Sequence, residues 1–116
     1  MPPYHIAIFA SGSGTNAEAI IKHFQQHPHI RVVLLLSNNE NAFALQRAKN
    51  FNIPTKIFNK ADFADAQGML GLLAEYNVTH IVLAGFLWLV PRYLTEAYPR
   101  AIVNIHPALL PAYGGK

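Results

Sequence analysis

A chain of 116 residues, 52% hydrophobic and only 13% charged, holds enough apolar material for one compact core and too much for intrinsic disorder. Its net charge of +3 comes from nine Lys and Arg residues scattered without a cluster or an aromatic-interleaved stripe, which argues against a nucleic-acid surface and leaves room for a small anionic partner. No cysteine is present, no apolar run reaches membrane-spanning length, and the start MPPYHIAIFA lacks the charged and apolar regions of a signal peptide, so a cytoplasmic chain with no membrane partner is expected.

No internal repeat, low-complexity tract or linker divides residues 1–116, which are read as one unit. The first apolar run, Ile6–Ala10, reads as a buried strand. SGSGTN, Ser11 to Asn16, follows it. Gly12 and Gly14 permit backbone angles closed to other residues and let a ligand approach without a Cβ in the way. Thr15 with Glu18 matches a capping box, so a helix begins just past the loop, with Ala17, Ile20, Ile21 and Phe24 on one face. Such a helix start offers unpaired N–H groups and a positive dipole end to an anion; a tight, well-capped turn accounts for the same residues equally well. A dinucleotide fingerprint fits poorly, because the second strand's tip, SNNE, offers only Glu40 to hold a ribose, and a lone phosphate monoester fits better.

A second strand is expected at Val32–Leu36, a helix over Ala42–Asn50, and a third strand at Thr55–Phe58. Met69, Leu72, Leu73 and Tyr76 then mark a third helix, ahead of a fourth strand at Ile81–Ala84. Pro91 suits the first turn of a fourth helix that ends before Pro99, and a fifth strand follows at Ala101–Ile105. Between them lies LAGFLWLVP, Leu83 to Pro91, whose apolar character suits a flat aromatic ligand and, equally, a strand end packed on a helix. The alternation predicts an α/β fold: a doubly wound, mainly parallel sheet with helices on both faces, binding ligands outside the carboxyl ends of its strands.

Asn104 interrupts an apolar strand in which Asn is disfavoured, and side-chain alternation puts Asn104 and His106 on one face at the strand's carboxyl end, where Pro107 stops the ladder. An amide beside an imidazole suits acyl chemistry, the amide stabilising an oxyanion and the imidazole moving a proton; a buried polar pair bonded to the backbone is the plainer alternative. His23, His27 and His29 include an i, i+4 pair, yet no carboxylate or cysteine close by completes a metal site, so none is expected. His5 and His80 flank strands, Trp88 reads as a packing residue, and Phe9, Phe24 and Met69 are assigned to the core.

Together, SGSGTN after the first strand, LAGFLWLVP after the fourth and NIHPALLPAYGG after the fifth resemble the phosphoribosylglycinamide formyltransferase family, from about Ile6 to the last residue. The resemblance implies a Rossmann-like fold and formyl transfer from 10-formyltetrahydrofolate, a co-substrate, to glycinamide ribonucleotide in purine synthesis. It implies that Gly12, Gly14, Thr15 and Asn16 hold the ribonucleotide phosphate. Leu87, Trp88, Leu89 and Val90 would line the folate pocket together with Asn104, and Asn104 and His106 would be the catalytic pair. Leu87-Trp88 replaces the family's usual Met-Arg or similar pair, and an Arg found early in the third helix of some members has no counterpart around Phe63 to Gln67. Members run to nearly twice this length and place in their later half the Asp that orients the His. No Asp follows Asp65, so an N-terminal subdomain, weakly active by itself and prone to self-association through the edge of its fifth strand, is expected. Other folate-dependent formyltransferases, formyltetrahydrofolate deformylases and a non-catalytic phosphate-binding module are the alternatives.

Overall fold

The computed structural model describes residues 3–105. Their order is β1 (Tyr4–Ala10), α1 (Thr15–Phe24), β2 (Ile30–Ser37), α2 (Phe43–Asn50), β3 (Thr55–Ile57), α3 (Lys60–Ala64), α4 (Ala66–Glu75), β4 (His80–Ala84), α5 (Arg92–Ala97) and β5 (Ile102–Ile105). The five strands form one sheet in the order β3-β2-β1-β4-β5 with every neighbouring pair parallel. The doubly wound sheet expected from the sequence is therefore the fold observed.

Alternate residues of β1 serve opposite faces, as the two-residue period of a strand requires. Ile6, Ile8 and Ala10 pack with Ala17 and Ile21 of α1 and Ala44 and Leu45 of α2. Ala7 and Phe9 pack with Phe63, Met69, Leu73 and Leu94 from α3, α4 and α5. In β2 the alternation breaks. Its pairing with β1 steps from Ile6↔Val32 to Ala7↔Leu34, so Val33 is one residue too many. This bulge puts Val32 and Leu35 on one face and Leu34 and Leu36 on the other.

Strand centres fall where expected, and the ends move by one or two residues: β1 starts at Tyr4 and β2 runs from Ile30 to Ser37. Among the described residues, five helices stand where four were expected. The extra one, α3, opens on a capping box in which Asn59 Oδ1 accepts from Asp62 N at 2.8 Å and Asp62 Oδ2 accepts from Asn59 N at 3.0 Å. It buries one residue, Phe63, so it has no apolar period to read. Pro91 is the N-cap of α5 rather than a residue of its first turn. Phe9 and Met69 are buried as expected, whereas Phe24 is half-exposed beside the His23 and His27 rings.

After β3 the chain crosses to the other face of the sheet and returns through α3 and α4 to β4, on the far side of β1. The loops leaving β1 and β4 therefore start on opposite faces of adjacent strands. That divergence makes the carboxyl edge between β1 and β4 the topological switch point, the place where such sheets bind ligands.

Candidate active site

The loop after β1 is held by its carbonyl groups. Gly12 O accepts from Ala44 N at 3.1 Å, Ser13 O from Arg47 Nε at 2.6 Å, and Gly14 O from Glu18 N at 2.8 Å. With three successive carbonyls committed to the protein, the N–H groups of Gly12, Ser13 and Gly14 have no acceptor among the described residues. The two glycines differ. Gly14 has φ +78°, and a Cβ there would meet Ala44 Cα at 2.5 Å, so only glycine fits. Among the described residues, no heavy atom lies within 4 Å of Gly12's would-be Cβ, which leaves open space for a ligand to approach.

The expected Thr15–Glu18 capping box does not form. Gly14 in the left-handed conformation is the N-cap of α1, and no side chain caps the helix. Glu18 turns instead to Arg47, which bonds its Oε1, and to Lys22, whose Nζ lies 3.0 Å from its Oε2. The Arg47 hydrogen bond first, and Lys22 second, hold the Glu18 carboxyl below its ordinary value. A carboxylate in the first turn would repel an anion, but two cations enclose this one and leave the group with a net positive charge. The N-terminus of α1 thus keeps its first-turn N–H groups uncapped beside a locally cationic surface. Asn16 contributes a further unpaired donor, since its buried Nδ2 has no partner among the described residues.

Beside the β1 loop at the same edge, the loop after β4 turns at Gly85 with φ +66°. Phe86 and Trp88 point inward to an aromatic cluster with Phe9, Phe58 and Phe63, ring centroids 5.5–6.4 Å from their neighbours. Leu87 and Leu89 point outward, 82% and 93% exposed, and Val90 is half-buried. Of the four residues expected to line a pocket, two therefore face solvent, while Trp88 mainly packs, with Lys60 Nζ 5.8 Å from its ring centre.

Asn104 lies in β5 opposite Leu83, which pairs in turn with Phe9. Ile102 packs toward α3–α5 and Ile105 toward α1 and α2, so Asn104 faces the side that holds Phe86 and Trp88. It is exposed. His106, its expected partner, and NIHPALLPAYGG beyond Ile105 lie outside the described residues. His27 Nδ1 accepts from His29 N at 3.0 Å, and among the described residues no His, Asp and Glu side chains gather as a metal site. No helix among them is long and apolar enough to cross a membrane.

Two residues that carry the site's geometry had no sequence signal. Arg47 reaches the loop from 34 residues away, and nothing local marks it out from Arg92, the other helix arginine. Ser11 is buried between three loops, with its hydroxyl bonded to both of the others.

A glycine loop with unpaired N–H groups, an uncapped helix behind it, an apolar loop after β4 and an asparagine on the adjoining strand thus meet at the carboxyl edge of the sheet. Residues 4–116 match the family described as formyl transferase, and the chain belongs to that family. Within it, the chain is 38% identical over 117 residues to the chloroplastic phosphoribosylglycinamide formyltransferase of Arabidopsis thaliana, covering 96% of this chain and 40% of that one. It is 38% identical over 116 residues to the Bacillus subtilis enzyme of the same name, covering 94% and 58%. The crystal structure of glycinamide ribonucleotide transformylase 1 from Geobacillus kaustophilus superposes with a TM-score of 0.81 at 38% identity, covering 97% of this chain and 63% of that one. The chain spans 37–58% of the length of four such curated phosphoribosylglycinamide formyltransferases, these two included.

Proposed function

We propose that this chain carries the acceptor-phosphate site and a catalytic residue pair for transfer of a formyl group from 10-formyltetrahydrofolate to the amine of glycinamide ribonucleotide, in purine biosynthesis. The observation that carries the reading is the β1 loop: three carbonyls turned into the protein, N–H groups of Gly12 to Gly14 left open, and an uncapped helix behind them. Thr15 and Asn16 add a hydroxyl and an amide to that cradle, and the ribonucleotide phosphate is its guest.

From there the chemistry follows. The glycinamide amine attacks the formyl carbon, and the carbonyl oxygen gathers negative charge. Asn104 donates its amide N–H to that oxygen as the charge develops. His106 manages the proton that the attacking amine loses as the folate nitrogen leaves. Leu87, Leu89 and Val90 provide apolar surface against the pterin, with Trp88 supporting them from behind. The cytoplasm is the compartment we propose. Pairing of two chains along β5, the outermost strand beside β4 among the described residues, is proposed as well; a monomer in sedimentation at high concentration would count against it.

An acceptor comparison tests the function. With 10-formyltetrahydrofolate as donor, formyl product from glycinamide ribonucleotide is expected to exceed that from methionyl-tRNA, an amino sugar nucleotide or water. Asn104→Ala should lower the turnover by roughly 10²–10³-fold. Preference for another acceptor, or an Asn104→Ala variant as fast as the native chain, would overturn the assignment.

A further inference from the structure

The hydrogen bonds at the carboxyl edge connect strand tips in their spatial order. Ser11, 4% exposed, is the centre of this line. Its hydroxyl donates its only proton to Asn38 Oδ1, just past β2, at 2.7 Å. That fixes the lone pair that accepts from Leu87 N, in the loop after β4, at 2.9 Å. Asn39 Nδ2 adds a longer contact of 3.4 Å to the Ser11 carbonyl. On the far side, Gly85 N donates to Ile105 O at 3.3 Å, tying the same β4 loop to the end of β5. The tips of β2, β1, β4 and β5 are thus joined through one serine and one short loop.

We propose that Ser11 is a positioning residue that couples the β1 loop to the apolar loop after β4, so that an anion held by the first resets the second. The inference rests on the anion-cradle reading above. Ser11 is joined to Gly12 by a single peptide unit, so any closure of the β1 loop around an anion moves the Ser11 backbone and its hydroxyl. Leu87 N must follow or lose its acceptor, and it carries Leu87 and Trp88 with it. Both glycines that let these loops turn, Gly14 and Gly85, have positive φ and lie just outside the Ser11–Leu87 bond. The coupling is reciprocal by thermodynamic necessity: a flat apolar ligand seated on Leu87 and Leu89 tightens the hold on the anion.

Trp88 is the only tryptophan in the chain and borders Leu87, so its emission, read beside the Leu87 amide, reports the β4 loop and the aromatic cluster beneath it. The test titrates ribose 5-phosphate into the ¹⁵N-labelled chain. It follows the Gly12, Gly14 and Thr15 amides for the cradle, and Trp88 emission with the Leu87 amide for the second loop. In the native chain all are expected to move with one Kd. In Ser11→Ala the cradle amides should still titrate, while the Trp88 and Leu87 responses fall by about fivefold or more. Ser11→Thr, which keeps the hydroxyl, should recover the response. A serine that merely stabilised the fold would lower the melting temperature without separating the two sets of signals. If Ser11→Ala does not fold, Ser11→Cys fills nearly the same space with a weak hydrogen-bonding group and is read in the same way.

A Trp88 response of native size in the folded variant would overturn the coupling, and so would a native chain whose cradle amides titrate while Trp88 stays silent. Cradle amides that never move in the native chain would instead refute the anion reading, an outcome visible before any variant is made.

Discussion

At Gly14 the backbone leaves one choice of side chain. A positive φ strains any other residue, and the Cα of Ala44 stands 2.5 Å from where a Cβ would go. Gly14→Ala should therefore cost about 2–4 kcal/mol of stability in urea denaturation. Gly12→Ala has open space beside it and should fall within about 0.5 kcal/mol of the native chain. It should nonetheless weaken phosphate binding, because the new methyl stands where the anion approaches. Glu18 supplies a pH signature. Its carboxyl is held below 4.5 by Arg47 and Lys22, so the stability it contributes is present above that value and is lost as pH falls through the lowered folded value. As pH falls below 4.5, the native chain should lose stability more steeply than Glu18→Gln. Parallel acid melts of the two proteins would refute this. None of this network was legible in the sequence. Thr15 and Glu18 have the spacing of a capping box, but local spacing says nothing about an arginine 29 positions away that takes the carboxylate.

The elements divide by how much of their burial is periodic. The strands were legible because parallel strands covered on both faces are short, nearly unbroken apolar runs, as in Ile6–Ala10 and Ile81–Ala84. Their ends were not, because residues such as Tyr4 and Arg31 pair in the ladder while staying exposed. Helix α3 was missed because it buries Phe63 alone; the readable signal was its Asn59–Asp62 cap. That cap matters for the site, since Phe63 packs against Phe58, Phe86 and Trp88. The Tyr93 hydroxyl also donates to the Phe63 carbonyl, joining α5 to α3, and burial first, Asp65 second, pushes that hydroxyl's pKa up. Asn59→Ala should cost about 1 kcal/mol and shift Trp88 emission as the aromatic cluster loosens. An unchanged spectrum would show that Trp88 is held without α3. At the site itself, the glycine loop and Asn104 were legible as unusual residues at strand ends. Ser11 was not, because its partners come from loops that the fold alone brings together.

For the whole molecule, the strand order β3-β2-β1-β4-β5 does what no single motif can. It sets the β1 loop beside the β4 loop, 76 residues apart where Ser11 meets Leu87, and places Asn104 in the next strand. A modest positive charge of +3, without a basic patch, suits a small phosphorylated ligand drawn to one edge of the sheet. The most direct test of this account compares glycinamide ribonucleotide with the same compound lacking its phosphate, each titrated into the ¹⁵N-labelled chain. Saturable shifts centred on Gly12, Gly14, Thr15 and Asn16, with the unphosphorylated compound at least about tenfold weaker, are the predicted result. Equal affinity for both compounds, or binding that leaves those four amides unmoved, would contradict it.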